Sequence, residues 1–352
     1  MATLQDIADV VGVSTVTVSK VLRGKVKGSW PRSAAQVKRI HQVADELGYR
    51  VDWRARALKN KRTQMIGILS TDKPETRTHD QQMLDGLIAT LGEAGYHLVF
   101  VRIRKGARGR DFADARFDGL VIDYHIESEE LEMIHQAKLP AVIINAPATP
   151  GTLSVMPDHR LAGALAARHA LQLGHRRLGF IQASGSEQIR WPNHMVNMWR
   201  EGIDAELRDA GISGGIVDLS PQTDEIAGEG GYLSMLREVL SSEDRPTFLI
   251  GNNPYRTVEC TLQQLASLGL SCPDDLSVLS MGDEGSLRWC QPTVSSIRLP
   301  YATLGKTAAQ VLLRQIEEGA SGQDEELILE EKPGLVVRDS TRRAPEQVRT
   351  AR

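Results

Sequence analysis

Long apolar runs are missing from this 352-residue chain. No stretch reaches the roughly 18 consecutive apolar residues that a transmembrane helix needs, so none is expected. The opening residues MATLQDIADVVG show no basic segment followed by a long apolar one, so no secretory leader is expected either. Cysteine is scarce. Cys260, Cys272 and Cys290 are an odd count without metal-ligand spacing, which predicts reduced thiols in a cytosolic protein. Catalytic signatures are absent as well: there is no nucleophile elbow, no HExxH and no paired Cys/His set. GEGG at 228–231 follows no strand–turn–helix fingerprint and reads as a loop entering a helix. His175, within GHRR, sits at a helix stop and reads as structural. The expectation is a protein that is not an enzyme and holds no metal or cofactor.

The composition is that of an ordinary globular protein, with 41% hydrophobic and 25% charged residues. Its length suits two or three domains, each with its own core. The net charge of −3 conceals an asymmetry. Residues 1–62 carry 13 Lys+Arg against 5 Asp+Glu, whereas the rest carry 29 against 40. A basic head on an acidic body suggests that the head alone meets a polyanion.

The head has helical periodicity. Leu4, Ile7, Ala8 and Val11 recur at helical spacing after Thr3, an N-cap candidate, and Gly12 breaks the pattern. The next stretch, GVSTVTVSKVL, is rich in β-branched residues and alternates like a strand. Yet Ser14 can cap a helix there, and Val18, Val21 and Leu22 form one apolar stripe. A third helix is expected from near Ser33 to Gly48, turning Val37, Ile40, Val43, Ala44 and Leu47 inward. Two short helices across a glycine turn, then a third, make a helix-turn-helix unit. Its second helix presents Thr15, Val16, Ser19 and Lys20 outward. Small hydroxyl- and methyl-bearing side chains let a helix approach the edges of bases in a major groove, and Lys20 can reach guanine or phosphate. The basic stretch DWRARALKNKRT, 52–63, reads as a linker. A second reading is a short helix that forms when DNA neutralises its charge, with Leu58 as a minor-groove wedge.

From Met65 onward, short apolar runs (MIGILS, HLVFVRI, GLVIDY, AVIINA, RRLGFIQA, PTFLIGN, LSVLSM) alternate with amphipathic stretches such as Gln82–Ala94, Leu161–Leu173, Trp199–Ala210 and Val258–Leu268. That pattern predicts parallel sheets covered by helices on both faces, a doubly wound α/β architecture. A second cycle starts near Arg160, so two similar subdomains with a cleft between them are expected. RKGARGRDFADARFDG is short for a full crossover helix.

TLQDIADVVGVSTVTVSKVLRG, ADELGYR and ARALKNKRTQMIGIL together resemble the lactose-repressor (LacI-type) family of bacterial regulators. Thr3, Asp6, Ala8, Gly12, Val13, Ser14, Thr17, Val18, Ser19 and Leu22 match its head in fixed register. The likeness continues through DHRLAGALAARHALQLGHRRLGFI, CPDDLSVLSM, TVSSIRLPYATLGKTAAQVLL and LVVRDST, nearly the whole chain. It implies an all-α helix-turn-helix DNA-binding head and a periplasmic-binding-protein-like core of two doubly wound parallel-sheet subdomains. Thr15, Val16 and Lys20 then fall on base-reading positions, and Thr3, Thr17 and Ser19 on phosphate-contacting ones. Ala55 and Leu58 fall on a hinge helix entering the minor groove, with Arg56 and Lys59 beside them on the DNA. The segment RGKVKGSWPR, 23–32, departs from the family's usual turn in being longer and more basic; it reads as a solvated loop or as extra phosphate contacts.

The resemblance further implies a small, carbohydrate-like effector in the cleft, a homodimer on double-stranded operator DNA, and no membrane partner. Candidate effector-binding residues are His79, Asp80, Asp158, Trp199, Arg200, Asn252, Asp283 and Trp289. Two departures bear on them. Trp199 stands where the family commonly has an Arg, and Gly282 where it has an Asp, and both of those residues normally grip sugar hydroxyls. The expected organisation is a DNA-binding domain at 1–50, a hinge at 51–63, a core at 64–340 and a flexible tail at 341–352. Within the core, one subdomain is expected to take 64–159 with the 293–300 region, the other 160–292 with 301–340. The tail lacks leucine heptads, so no tetramerising coiled coil is expected. A solute-binding module would lack the head, and an α/β enzyme would show turnover of sugars or nucleosides; both are the weaker alternatives.

Overall fold

The structure is a computed structural model that describes residues 2–22, 31–50, 62–71, 81–103, 116–123, 128–181, 194–213, 215–218, 229–242, 244–252, 258–319 and 325–346. It divides into two units, Met1–Thr63 and Gln64–Arg352.

In the first unit, α1 (Leu4–Val11) is closed at its start by a capping box. Thr3 Oγ1 accepts from the Asp6 N–H, and the Thr3 N–H returns a bond to the Asp6 carboxylate at 2.7 Å. Gly12 ends it at φ 73°. The strand-like stretch is helical: α2 runs Thr15–Leu22, with Ser14 Oγ accepting from the Thr17 N–H at 3.2 Å. Its β-branched residues cost tenths of a kcal/mol each as helix formers. Burial of Val18 and Val21 against Ile7, Ala8, Ile40, Val43 and Ala44 outweighs that. The third helix, α3 (Pro31–Glu46), starts two residues before the expected Ser33, with proline in its first position, where no donor is lost.

The second unit holds two six-stranded sheets. Their strands are β1 (Met65–Thr71), β2 (His97–Ile103), β3 (Gly119–Asp123), β4 (Ala141–Ile144), β5 (Leu153–Met156), β6 (Leu178–Ile181), β7 (Ile216–Asp218), β8 (Phe248–Gly251), β9 (Ser277–Met281), β10 (Ser295–Arg298), β11 (Glu326–Ile328) and β12 (Gly334–Val336). One sheet has the order β11-β5-β4-β3-β1-β2 and the other β12-β10-β9-β8-β6-β7. Setting β11 and β12 aside, the second order is the first with five added to each strand number. The two lobes are therefore topological copies. All pairings are parallel except that of β10 with β12.

Helices cover both faces of each sheet. In the first lobe α4 (Gln81–Glu93) lies on one face, and α5 (Ser128–Gln136) sends Ile134 to the other. In the second lobe α6 (His159–Gln172) and α7 (His194–Asp209) share one face, while α8 (Glu229–Ser241) and α9 (Cys260–Ser267) cover the other. The last helix, α10 (Tyr301–Glu318), comes after β10 of the second lobe. Yet its Leu304, Ala308, Leu312 and Ile316 pack in the core of the first.

That placement corrects the expected division of the core. The 293–300 region belongs to the second lobe, since β10 pairs with β9. Residues 301–318 and β11 belong to the first, and the chain returns to the second only with β12. Hydrophobic periodicity reveals which face of a helix is buried, not which sheet it is buried against. The expected flexible tail is corrected too, over 341–344. The Thr341 hydroxyl pairs with His169 Nε2 at 3.0 Å and with Ser295 Oγ at 2.8 Å. The Arg342 carbonyl accepts from His175 Nε2 at 3.0 Å, and the Ala344 N–H donates to the Leu173 carbonyl. Residues 347–352 lie outside the described residues, as does 104–115, which holds most of the stretch read as a short crossover. Among the described residues no helix is long and apolar enough to cross a membrane.

Two helix crossings have unusually close backbones. A Cβ on Gly163 of α6 would lie well inside contact distance of the Trp199 carbonyl of α7, and one on Gly202 would meet the Arg160 carbonyl. The first lobe repeats the device: Gly86 of α4 lies on the Ala302 carbonyl of α10, and Gly305 on that of Met83.

Candidate functional site

The first surface of interest is the outward face of α2. Val16 is 61% exposed, a conspicuous position for a valine, and Lys20 is exposed beside it. Thr15, Thr17 and Ser19 are half-buried, and the Thr17 and Ser14 hydroxyls lie 2.9 Å apart. Thr3 is exposed, with its hydroxyl capping α1. The helix thus offers one methyl-bearing and one cationic side chain at its solvent face, with hydroxyls at their roots. Ala55, Arg56, Leu58 and Lys59 lie outside the described residues.

The second is the crevice edge of the body. In doubly wound sheets ligands sit outside the carboxyl ends of the strands, where the strand order reverses. Here the reversal falls between β1 and β3 in one lobe and between β6 and β8 in the other. Asp123, 4% exposed, ends β3, and Asn252 comes directly after β8 at the equivalent place, its N–H donating to the Ile181 carbonyl. One strand further on, Asn145 succeeds β4 and Gly282 succeeds β9. Both have left-handed backbones, φ 58° and 126°. Each sends its N–H to the neighbouring strand, Asn145 to the Val155 carbonyl and Gly282 to that of Ile297. The first lobe therefore holds an amide where the second holds no side chain. Asn145 is 3% exposed, and its Oδ1 has no hydrogen-bond partner among the described residues. Sequence reasoning does not single out Asp123 or Asn145. The signal that could have found them is a polar residue at the end of a run of buried strand residues.

Several expected effector contacts are engaged elsewhere. Trp199 is 1% exposed, packed in the second lobe's core, and its Nε1–H donates to His159 Nδ1 at 3.2 Å. Arg200 reaches Asp204 one turn along α7 at 3.3 Å. Asp158 caps α6 by accepting from the Leu161 N–H and meets Lys332 at 3.4 Å. Trp289 is 87% exposed after a short 3₁₀ turn, 285–288. The Asp283 carboxylate accepts from Arg338 at 2.5 Å, Arg298 at 2.6 Å and Ser296 at 2.7 Å. Burial pushes its pKa up, but those hydrogen bonds outweigh it and hold the group below the usual carboxylate range. A carboxylate so fully matched is a structural pin, with its side chain 2% exposed. Asp283→Ala should leave the half-buried Arg338 without its carboxylate partner and cost about 3 kcal/mol. Urea titration checks this; a loss below about 1 kcal/mol contradicts the pin. His79 and Asp80 lie outside the described residues.

Three buried histidines mark the second lobe. His159 is fully buried, and its pKa is pushed down to about 3, by burial first and then by the nearby His194, against the pull of Asp158. Burial also lowers His169 and His175, the latter against its hydrogen bond to the Arg342 carbonyl. His175, expected to be structural, is 1% exposed and held on both ring nitrogens, by the Thr247 hydroxyl and that carbonyl. The cysteines are free, and burial pushes the Cys272 thiol up to about 12, which keeps it unreactive. Among the described residues no cluster of His, Cys, Asp and Glu is arranged to hold a metal ion.

A solvent-facing recognition-type helix on a capped three-helix head, in a chain whose body is two copied α/β lobes, is the arrangement of a class of DNA-binding regulators. Comparison with known proteins agrees. The profile of "Bacterial regulatory proteins, lacI family" matches residues 3–52, and that of "Periplasmic binding protein-like domain" matches 167–341. The chain is similar to the HTH-type transcriptional repressor PurR of Photobacterium profundum, at 27% identity over 353 residues, 97% of this chain and 99% of that one. In fold it is similar to the lac repressor dimer solved with operator and the anti-inducer ONPF, at TM-score 0.74 and 21% identity, covering 97% of this chain and 99% of that one. It is likewise similar to a regulator from Enterococcus faecium solved with ribose, at TM-score 0.67 and 20% identity, covering 79% and 99%. The chain belongs to the LacI family of bacterial transcriptional regulators.

Proposed function

We propose that this protein acts in the cytoplasm as a homodimeric repressor that reads an operator through α2 and releases or grips it according to a small effector in the crevice. The observation that carries the DNA reading is the outward Val16 and Lys20 face of α2 in a head with a surplus of basic residues. Thr15, Val16 and Lys20 are assigned to base edges, and Thr3, Thr17 and Ser19 to phosphates. Ala55 and Leu58 are assigned to the minor groove, and Arg56 and Lys59 to the backbone. One such head covers a half-site, so a two-fold dimer is needed for a full operator. Ile88 of α4 and Phe100 of the edge strand β2, 52% and 56% exposed, offer apolar surface to a second copy. Repressor relatives and ribose- and operator-bound neighbours support this reading.

Selection from randomised duplexes should return a two-fold symmetric site. Lys20→Ala should then weaken that site about 10- to 100-fold while changing binding to random duplex little. Fluorescence anisotropy at two salt concentrations measures both. Failure of the intact protein to prefer any sequence contradicts the repressor reading.

A further inference from the structure

The effector reading can be deepened at one point, and the inference rests on that reading. Two buried side chains from different lobes end next to β5 with a polar atom unmatched. The first is Asn145, whose backbone N–H is bonded to the Val155 carbonyl and whose Oδ1 has no partner among the described residues. The second is His159, four residues further along the chain from Val155. It is the first residue of α6, reached through a tight turn in which its N–H donates to the Pro157 carbonyl.

The imidazole of His159 is oriented by its neighbour. An indole N–H only donates, so Trp199 Nε1 fixes His159 Nδ1 as the acceptor at 3.2 Å. The two rings meet edge to face, with centroids 5.7 Å apart. The proton of the neutral ring is thereby placed on Nε2, which points away from Trp199 and has no partner among the described residues. A buried donor and a buried acceptor left unmatched each lower stability, and a ligand that satisfies them recovers the loss.

The chemistry of that ligand is narrowed by what the neighbouring charges already do. Asp158 is engaged by the α6 cap and Lys332, and Asp283 by Arg338, Arg298 and Ser296. Gly282, opposite in the pseudo-symmetric arrangement to Asn145, has no side chain to offer. At this edge His159 and Asn145 are neutral and Asp123 is a carboxylate, and none of the three attracts a phosphate. We propose that His159 Nε2–H and the Asn145 side-chain amide together read an uncharged polar effector, which bridges the two lobes and discriminates against its phosphorylated counterpart. Trp199 is then a positioning residue that sets which imidazole nitrogen faces the ligand.

The test uses the full chain and three matched pairs of probes: adenosine and AMP, ribose and ribose 5-phosphate, glucose and glucose 6-phosphate. Thermal melting is followed against concentration, which yields an apparent Kd for each. The expected result is a rising Tm with at least one neutral member and at least tenfold weaker binding of its phosphorylated partner. His159→Leu should abolish the shift. Asn145→Gly, which keeps the left-handed backbone and so the fold, should weaken the same probe at least tenfold while leaving the ligand-free Tm near that of the unaltered chain. Preferential binding of a phosphorylated member, or neutral binding indifferent to both substitutions, overturns the inference and leaves the effector reading standing. No shift from any of the six probes withdraws the effector reading and the inference with it.

Discussion

Gly202→Ala is expected to lower the melting temperature of the body by about 10 °C. The added methyl has nowhere to go, because the nearest atom to it is the backbone carbonyl of Arg160, with the Ala164 N–H and Arg160 carbonyl carbon close behind. A side chain at the far end of a flexible neighbour would swing aside; a helix backbone cannot. The two helices must separate, and Trp199, Ile203 and Leu207 of α7 would lose contact with Ala162, Ala166 and Ala170 of α6. Overpacking of this kind costs about 3 kcal/mol. Over a body of this size that amounts to roughly 2–4 °C per kcal/mol. Gly92→Ala is the control. It lies near the end of α4 in open space with an ordinary helical backbone, so alanine should be neutral or slightly stabilising. Calorimetry on both variants decides. A Gly202→Ala protein melting within about 2 °C of wild type contradicts the close crossing.

The second large effect is acid sensitivity. The pKa of His159 is about 3 in the folded protein, against the usual 6.5 once the chain unfolds. Between those values the unfolded state binds a proton that the folded state refuses. Stability is therefore complete above about pH 6.5 and is lost progressively as pH falls toward 3. His169 and His175, shifted in the same direction by burial, add to the loss. At pH 5.5 His159 alone should cost about 1.4 kcal/mol relative to pH 7.5. Asp283 acts in a different window: its lowered pKa supplies stability that is lost only as pH falls below the ordinary carboxylate range. A urea midpoint that falls between pH 7.5 and 5.5, and falls less in a His159→Asn variant, is the expected outcome. A midpoint constant across that range contradicts it.

How far the sequence reaches depends on the range of the forces involved. The head is legible because its signals are local: the Thr3 and Ser14 caps, the Gly12 stop and the Val18 and Val21 stripe lie within a few residues of what they decide. The strand-like alternation of 15–18 yields to them for the same reason. In the body, buried strands such as β3 and β8 announce themselves as apolar runs. The three-residue β7, β11 and β12 do not, because their burial is partial and their neighbours are supplied from afar. Which lobe receives α10 is set by Gly86 and Gly305 meeting across more than two hundred residues, and no local pattern records that. The candidate crevice is legible only in outline. Asp283 and Trp199 are of types that bind ligands, but Arg338 and His159 reach them first. Asn145 is visible in the sequence as a polar residue ending an apolar run, but its left-handed backbone and its lack of an Oδ1 partner among the described residues are not.

The exchange of helices between the lobes has a mechanical meaning. The helix after the last shared strand of each lobe, α6 after β5 and α10 after β10, is seated in the opposite lobe and locked there by a pair of glycines. The chain then crosses a third time, between β11 and β12. The two halves are thus joined by three passages of the chain rather than by one. Any opening or closing has to be taken up as torsion in three short spans, around Pro157, Pro300 and Lys332. The Asp158–Lys332 pair and the Thr303–Glu331 hydrogen bond already tie those spans together. Three connections tied to one another in this way confine any relative motion of the lobes to a hinge at those spans.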